Sequence, residues 1–227
     1  MAELTETLAR RAAERAIAGR QAEIAGEMRR IVDCTLVLIE RTGTVDPSLR
    51  EVLAETGLST QAFYRHFRSK DELLLVILDD GRRQLVSYLE HRMAAVDEPR
   101  QKLGEWVRGV LAQGSNETAA SRTRPFLASE DRLAQAFPAE HAASVDLFID
   151  QLVTVIAHME ARRGDADARA DAAAVYELAF GTLRRHLVRG TRPTDREIDH
   201  LVSFSLGGIG QTVSGAADPS NGVSGSP

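Results

Sequence analysis

The stretch that decides the fold runs from Leu49 to Leu74 and reads LREVLAETGLSTQAFYRHFRSKDELL. Its pattern predicts two short helices separated by a turn at Gly57, where a residue without Cβ adopts positive φ at little cost. Ser59 provides an N-cap for the second helix, and Phe63 and Phe67 lie on one of its faces because they are four residues apart. Ser69 followed by Glu72 is a capping box, which predicts that a long helix begins directly afterwards.

The sequence around this stretch continues the helical pattern. Apolar residues from Ile24 to Ile39 recur at three- and four-residue steps, which predicts an amphipathic helix that ends at Gly43. Asp46 followed by Pro47 predicts the start of the next helix. Further helices are predicted over 70–93, 99–114, 117–137 with an interruption at Pro125, 139–163, 167–189 and 194–206. We therefore expect an all-α fold of about nine helices.

Composition excludes several classes of protein. The chain has 227 residues, which is long enough for a sizeable core, and a single cysteine, which excludes an intrachain disulfide. No run of 18 apolar residues and no signal-peptide core is present, so we expect a cytoplasmic protein without a membrane partner. The histidines do not pair with a second ligand four residues away on a helix, and no nucleophile or phosphate-binding motif occurs. The sequence thus predicts no enzyme, no metal and no cofactor.

A small basic island lies within the deciding stretch. Between Ser59 and Lys70 there are three cations, Arg65, Arg68 and Lys70, and no acid, although the whole chain has a formal net charge of -5. Any binding to nucleic acid must therefore come from a local patch, and this island is the best candidate for a surface that faces phosphates.

The deciding stretch and the helix before it resemble a known protein family. The run RRIVDCTLVLIERTG (29–43), followed by residues 48–74, resembles the helix-turn-helix DNA-binding domain of the TetR family of bacterial transcriptional regulators. The residues that stand at the family's characteristic positions are Phe63, Tyr64, Arg65, His66, Phe67, Ser69, Lys70, Asp71, Glu72 and Leu73. The resemblance implies an N-terminal three-helix DNA-binding domain followed by a helical domain for ligand binding and dimerisation.

The resemblance also implies roles for individual residues. The helix that begins after Ser59 would enter the major groove of double-stranded DNA, with Thr60, Gln61, Tyr64 and Arg65 near the bases. Phosphates would be held by Thr44, Ser59, His66, Arg68 and Lys70. For His66, a packed histidine without a role in binding is an equally good interpretation. The implied domains are a flexible basic extension over 1–22, a DNA-binding domain over 23–70, a ligand-binding and dimerisation domain over 71–211, and a disordered tail over 212–227.

The second domain carries two further predicted sites. A pocket for a largely apolar small-molecule effector would be lined by Trp106, Arg122, Arg124, Phe126, Phe137, Phe148 and Tyr176, although an ordinary core or surface explains each of these residues. A homodimer interface would be formed by Phe180, Leu183, Leu187, Ile198, Leu201, Val202, Phe204 and Ile209. The predicted function is a repressor that binds a palindromic operator as a homodimer and is released by its effector.

Two alternatives stay open at this stage. The chain could be an architectural DNA-binding protein without an effector, although such a protein would not need some 140 residues of further helical domain. The arginines of the first 22 residues could belong to a solvated tail or to a basic arm that contacts DNA.

Overall fold

The computed structural model describes residues 2–43, 47–127, 129–159 and 165–209, and within these ranges every regular element is a helix. The ten helices are α1 Ala2–Thr42, α2 Leu49–Thr56, α3 Thr60–His66, α4 Lys70–Ala94, α5 Pro99–Ser115, α6 Glu117–Leu127, α7 Glu130–Ala136, α8 Pro138–Met159, α9 Asp165–Arg189 and α10 Asp195–Gly208. The predicted all-α fold is confirmed. The predicted tail over 212–227 lies outside the described residues.

Helices α1 to α3 and the first turns of α4 enclose an apolar cluster that we call the N-terminal core. Its buried residues are Ile31, Leu38, Ile39, Val52, Phe63, Phe67, Leu73, Leu74 and Ile77, together with Phe126 of α6 and Leu133 of α7. The N-terminal core extends beyond the predicted boundary between residues 70 and 71, because α4, α6 and α7 all contribute to it. The predicted domain bounds stay a prediction.

A second cluster, the C-terminal core, lies between the later part of α4 and helices α5, α8, α9 and α10. Its buried residues include Leu89, Leu103, Trp106, Val110, Phe148, Leu152, Ile156, Val175, Tyr176, Leu183, Leu187 and Leu201. Helix α5 packs against α4, α8, α9 and α10, so it forms the centre of this half of the molecule.

Helix α8 is long and apolar enough, by length and composition alone, to cross a membrane. The sequence analysis expected no such segment. However, Phe148, Leu152 and Ile156 of α8 are buried in the C-terminal core. We therefore interpret α8 as the core helix of this half.

The first helix begins much earlier than its apolar stripe predicts. With 41 residues, α1 is about 60 Å long at 1.5 Å per residue. The side chains of residues 13–26 are all exposed, so the N-terminal half of α1 lies apart from both cores. The sequence predicts a flexible extension over 1–22, and the structure shows a helix from Ala2 onward. Its flexibility and its contact with DNA stay predictions.

The start of α2 differs from the prediction. Ser48 caps the helix: its hydroxyl accepts from the Glu51 backbone N–H at 3.2 Å, and the Glu51 carboxylate accepts from the Ser48 N–H at 2.8 Å. The predicted start at Asp46 and Pro47 is therefore wrong, because Ser48 and Glu51 form a complete capping box. Asp46 lies outside the described residues.

Three further predicted boundaries are corrected. Pro125 lies inside α6, which continues to Leu127, so the break between α6 and α7 comes after the proline. Gly114 does not end α5; a Cβ there would lie 3.1 Å from Leu183 and 3.2 Å from Pro193, so the glycine permits close packing instead. Pro138 begins α8, where a missing N–H costs nothing.

Candidate functional site

Helix α3 is short, and its two ends are fixed by local interactions. Gly57 adopts the left-handed conformation that was predicted, with φ 68°, and ends α2. The Arg30 side chain of α1 donates to the Thr56 carbonyl at 2.9 Å, which satisfies part of the C-terminus of α2. The Ser59 hydroxyl then accepts from the Ala62 N–H at 3.1 Å and caps α3 as expected.

Packing decides which face of α3 points outward. Phe63 and Phe67 are fully buried in the N-terminal core, and their rings lie 5.5 Å apart. The side of α3 that carries Thr60, Gln61 and Arg65 is exposed. Tyr64 lies on this outer surface with 55% of its area exposed, and its ring meets the edge of Phe63 at 5.4 Å. The four residues predicted to lie near bases therefore share one accessible surface.

An acidic residue that sequence reasoning missed lies against the end of α3. The Glu27 carboxylate of α1 is 2.6 Å from His66 Nε2 and 3.5 Å from the Arg65 guanidinium. The hydrogen bond from His66, with the charge of Arg65 nearby, holds the pKa of the Glu27 carboxyl below its usual value. The basic island is therefore less positive than the sequence between residues 59 and 70 suggests.

This contact corrects the prediction for His66. Only 4% of its side chain is exposed, and its Nε2 faces Glu27. A side chain so buried and so paired does not reach a phosphate. His66 instead fastens α3 to α1, and only the spatial proximity of residues 39 positions apart reveals this role.

The remaining predicted phosphate contacts lie around the start of α4. Arg68 is exposed, and its backbone N–H donates to the Glu72 carboxylate. The Ser69 hydroxyl accepts from the Glu72 N–H at 3.1 Å. The predicted capping box is therefore only half formed, because the Glu72 carboxylate bonds Arg68 instead of Ser69. Lys70 is the first residue of α4 and is partly exposed. Thr44 lies outside the described residues.

The predicted pocket residues divide between the two cores. Trp106, Phe148 and Tyr176 lie in the C-terminal core, whereas Phe126 and Phe137 pack in the N-terminal core. Arg124 donates to the Leu187 carbonyl at 3.0 Å, so it links α6 to α9. The side chain of Arg122 lies outside the described part of the structure. The five aromatic residues therefore divide between two cores, and the six residues whose side chains are described do not line one common pocket.

Aromatic rings fill the centre of the C-terminal core. Phe180 lies 4.5 Å from Tyr176, 5.0 Å from Phe148 and 6.2 Å from Trp106, measured between ring centroids. The Trp106 indole N–H donates to the Gln151 side chain at 3.0 Å, which satisfies its only donor. Phe180 is partly buried and packs with these core rings, and its predicted place at a dimer interface stays a prediction.

Most of the other predicted interface residues pack inside the protomer. Five of them are buried within the protomer itself, namely Leu183, Leu187, Leu201, Val202 and Ile209. Ile198 is partly buried and packs against the same core. Phe204 is the exception, with 64% of its area exposed. The structure adds Val188, an exposed apolar residue on α9 that the predicted set did not contain.

Comparison with known proteins identifies the family. Residues 31–77 match the family model described as bacterial regulatory proteins, tetR family. This range contains the exposed helix α3 and most of the N-terminal core, except Phe126 and Leu133. Residues 31–77 thus form a DNA-binding domain of the TetR type.

One curated relative is similar to half of the chain, and solved structures share its fold. The chain is 29% identical over 111 residues to an uncharacterized HTH-type transcriptional regulator of Haemophilus influenzae, covering 49% of this chain and 53% of that protein. It thus spans about half the length of this curated relative. A protein of Mesorhizobium loti assigned to the TetR family superposes with a TM-score of 0.63 at 18% identity, covering 81% of this chain and 96% of the other. The structure of RolR in complex with resorcinol superposes with a TM-score of 0.61 at 12% identity, covering 84% of this chain and 90% of RolR.

The match to the TetR family model bears on the class of activity. Proteins of this family are transcriptional regulators and not enzymes, as the sequence analysis expected for this chain. Among the residues that the structure describes, no group of three or more His, Cys, Asp or Glu side chains has a geometry that could hold a metal ion.

Proposed function

We propose that this protein is a TetR-family regulator, a cytoplasmic repressor that binds a palindromic operator as a homodimer and is released by a small-molecule effector. The observation that carries the DNA-binding part is the outer surface of α3. Its apolar face is buried through Phe63 and Phe67, while Gln61, Tyr64 and Arg65 are exposed together. A helix anchored on one side and polar on the other can enter the major groove, which admits an α-helix.

The exposed side chains have the chemistry to distinguish bases. A Gln61 amide can pair with both N6 and N7 of adenine, and an Arg65 guanidinium with O6 and N7 of guanine. Each such bidentate pair discriminates against a wrong base by roughly 1–3 kcal/mol. Thr60 and Tyr64 would contribute single contacts or pack against a thymine methyl group. Binding would therefore be specific for sequence.

Phosphate contacts would set the position of α3 in the groove. We keep Ser59, Arg68 and Lys70 in this role, since they lie at the two ends of α3 and at the start of α4. Thr44 stays a prediction, and His66 is withdrawn because Glu27 holds it. Contacts of this kind fix the register of the protein on DNA without reading sequence.

A homodimer would form through the exposed sides of α9 and α10. Val188 and Phe204 are exposed apolar residues on these helices, and a Cβ added at the exposed glycines Gly181, Gly207 or Gly208 would meet nothing within 4 Å. Two copies paired by a two-fold axis would place their α3 helices about 34 Å apart, one turn of DNA. The operator would then be palindromic.

An effector would act by linkage between two sites. A ligand that binds better to the conformation incompatible with DNA weakens DNA binding by the same free energy as its preference. The chain has the means to connect the sites, because Phe126 and Leu133 of α6 and α7 are buried in the N-terminal core while α6 and α7 also contact α9 and α8. The bound resorcinol of RolR supports a small-molecule ligand for the similar fold.

The proposal is tested by selecting DNA sequences bound by the full chain from a random pool and then measuring affinity as a function of salt. We expect a palindromic consensus and an affinity that falls with salt as counterions are released. Salt dependence without any consensus would identify an architectural protein. In the same assay, a truncation that begins at Glu23 tests the basic arm: a lower salt dependence would place arginines of the extension on phosphates.

A further inference from the structure

Ser144 on α8 is a buried hydroxyl that lacks a partner. Only 4% of Ser144 is exposed, and among the described residues no group lies within hydrogen-bond distance of its Oγ. A hydroxyl removed from water without a hydrogen bond is unfavourable, and buried polar groups in folded proteins are nearly always paired. The Ser144 hydroxyl is therefore free to bond a partner from outside the chain, whether a water or a ligand.

The residues next to Ser144 are charged on one side and aromatic on the other. On α8, His141 lies three residues before Ser144 and Phe148 four residues after it, so all three lie on one face of the helix. Arg82 of α4 donates to His141 Nδ1 at 3.4 Å. Phe148 is buried with its ring 6.0 Å from the ring of Tyr176. Ser144 thus lies between a guanidinium and a group of aromatic rings.

The Arg82 guanidinium is itself almost buried. Only 10% of its side chain is exposed, and the Glu130 carboxylate of α7 accepts from it at 3.0 Å. Burial raises the pKa of Tyr176 to about 12, while the charge of Arg82 opposes that rise and the charge of Glu130 adds to it. Arg82 of α4 meets His141 of α8, and Phe148 of α8 meets Tyr176 of α9. Arg82, Ser144 and Tyr176 therefore lie along the surfaces where α8 packs against α4 and α9.

We propose that this region binds the effector and that the effector is an aromatic carboxylate. Its carboxylate takes the place of Glu130 on the Arg82 guanidinium and accepts a hydrogen bond from the Ser144 hydroxyl, while its ring lies against Phe148 and Tyr176. This inference rests on the proposed function, since it names the ligand class of the effector site. It also differs from the site expected at Arg122 and Arg124.

Glu130 can leave Arg82 without becoming an unpaired charge. Its second carboxylate oxygen lies 3.3 Å from the Arg184 guanidinium of α9. A carboxylate with two cations can move toward one of them when another anion occupies the other, whereas breaking a solitary buried pair would leave an uncompensated charge. The ligand therefore exchanges one ion pair for another at low cost.

Displacing Glu130 would also reach the DNA-binding half. Glu130 is the first residue of α7, and in the same short helix Arg132 pairs with Asp71 of α4 while Leu133 is buried in the N-terminal core. Asp71 follows Lys70, a predicted phosphate contact. A shift of α7 would thus move residues at the start of α4, next to the connection between α3 and α4.

The test uses calorimetric titration of the full chain with 3-phenylpropionate and 4-phenylbutyrate, each beside the alcohol with the same carbon skeleton. We expect the acids to bind and the alcohols to bind at least about tenfold more weakly, because the bond to a charged group is lost. Arg82→Gln should remove this preference for the acid. Arg83→Gln is the matched control, since Arg83 is the neighbouring arginine, exposed and paired with Asp79.

Ser144→Ala provides a variant that does not threaten the fold. Removing an unpaired buried hydroxyl should leave the stability of the protein unchanged or higher. It should nevertheless weaken the binding of the two acids by about tenfold, because their hydrogen bond to Ser144 is lost. Ser205→Ala is its control, because Ser205 is the other described buried hydroxyl without a partner and lies on α10. If both serine variants bind the acids equally, or if acids and alcohols bind alike, the inference is overturned.

The two proposals fail in different measurements. Absence of a DNA consensus would overturn the proposed function while the titration still showed the preference for carboxylates. Loss of that preference would overturn only the inference about the ligand, since selection of DNA sequences is performed without any effector.

Discussion

Glu27 shows how one side chain alters a binding surface that is remote from it in sequence. It lies on α1, 38 residues before Arg65 and 39 before His66, and meets both. The local sequence around α3 contains no acid, so the basic island is expected to be fully positive. Folding places one carboxylate at its edge, which both fastens α3 and lowers the local charge.

We expect Glu27→Gln to reduce the loss of stability in acid. In the folded protein the pKa of the Glu27 carboxyl is lowered from its usual 4.5. The ionised carboxylate therefore stabilises the fold fully at a pH above 4.5, and this stabilisation is lost as the pH falls from 4.5 through the folded pKa. Melting temperatures measured from pH 6 downward should therefore fall less steeply for the variant than for the parent chain. Glu23→Gln, an exposed position one turn earlier on α1, is the control. Parallel pH profiles for parent and Glu27→Gln would contradict the assignment.

Gly81 is a glycine inside a helix, which suggests either close packing by a neighbour or a weak point that acts as a hinge. It lies inside α4 at an exposed position, and a Cβ there would meet nothing within 4 Å. Close packing against Gly81 is therefore wrong as an explanation for this glycine. A hinge between the two halves of the chain stays a prediction.

Gly81→Ala should stabilise the protein by about 1 kcal/mol, the usual difference between glycine and alanine within a helix. Gly109→Ala is the contrasting variant, because a Cβ there would lie 2.5 Å from Leu89 in the C-terminal core and should cancel the gain. Urea unfolding measures both. A loss of stability in Gly81→Ala would show that the glycine has a role the structure does not reveal.

The same variant tests the hinge hypothesis. If the effector releases DNA from Gly81→Ala as it does from the parent chain, Gly81 is not a hinge.

At the scale of elements, α2 depends on its cap. With eight residues it is too short to be stable alone, and the complete capping box of Ser48 and Glu51 satisfies donors at its N-terminus. Ser48→Ala should cost about 1 kcal/mol of stability in the same unfolding assay. Ser87→Ala, at an exposed position inside α4, should cost nothing. Equal stabilities for the two variants would mean that the box contributes little.

Local patterns were enough to predict most of the helices and much of α3. Capping serines, the left-handed glycine at 57 and phenylalanines four residues apart all act within a few residues, so Ser59, Gly57, Phe63 and Phe67 were assigned correctly. Pairs far apart in sequence were not predictable: Glu27 with His66, or Arg82 with Glu130, depends on how the helices pack. The interface residues stay a prediction for a related reason, because hydrophobicity alone does not say whether a leucine packs within its own chain or against a partner.

At the scale of the molecule, self-association is tested on the exposed side of α9 and α10. Phe204→Glu should weaken the proposed homodimer by more than about tenfold, since a two-fold axis would bring like charges together in an apolar contact. Sedimentation at several concentrations measures the change. Val37→Glu, on an exposed part of α1, should leave association unchanged. A Phe204→Glu protein that associates like the parent would place the interface elsewhere.

The arrangement of the two cores bears on how the whole molecule could respond to a ligand. Helices α6 and α7 give Phe126 and Leu133 to the N-terminal core, and Arg124 and Glu130 contact α9. The halves are therefore joined by packed side chains and ion pairs as well as by α4. A ligand between α4, α8 and α9 would act on contacts that also hold the DNA-binding half.

The central claim is that the exposed side of α3 reads DNA. It is tested most directly by measuring the affinity of Tyr64→Ala for the selected operator, beside Tyr88→Ala, which removes a tyrosine exposed on α4. We expect Tyr64→Ala to bind at least about tenfold more weakly, with sedimentation and melting temperature unchanged, and Tyr88→Ala to bind like the parent. Operator affinity retained in Tyr64→Ala would contradict the account.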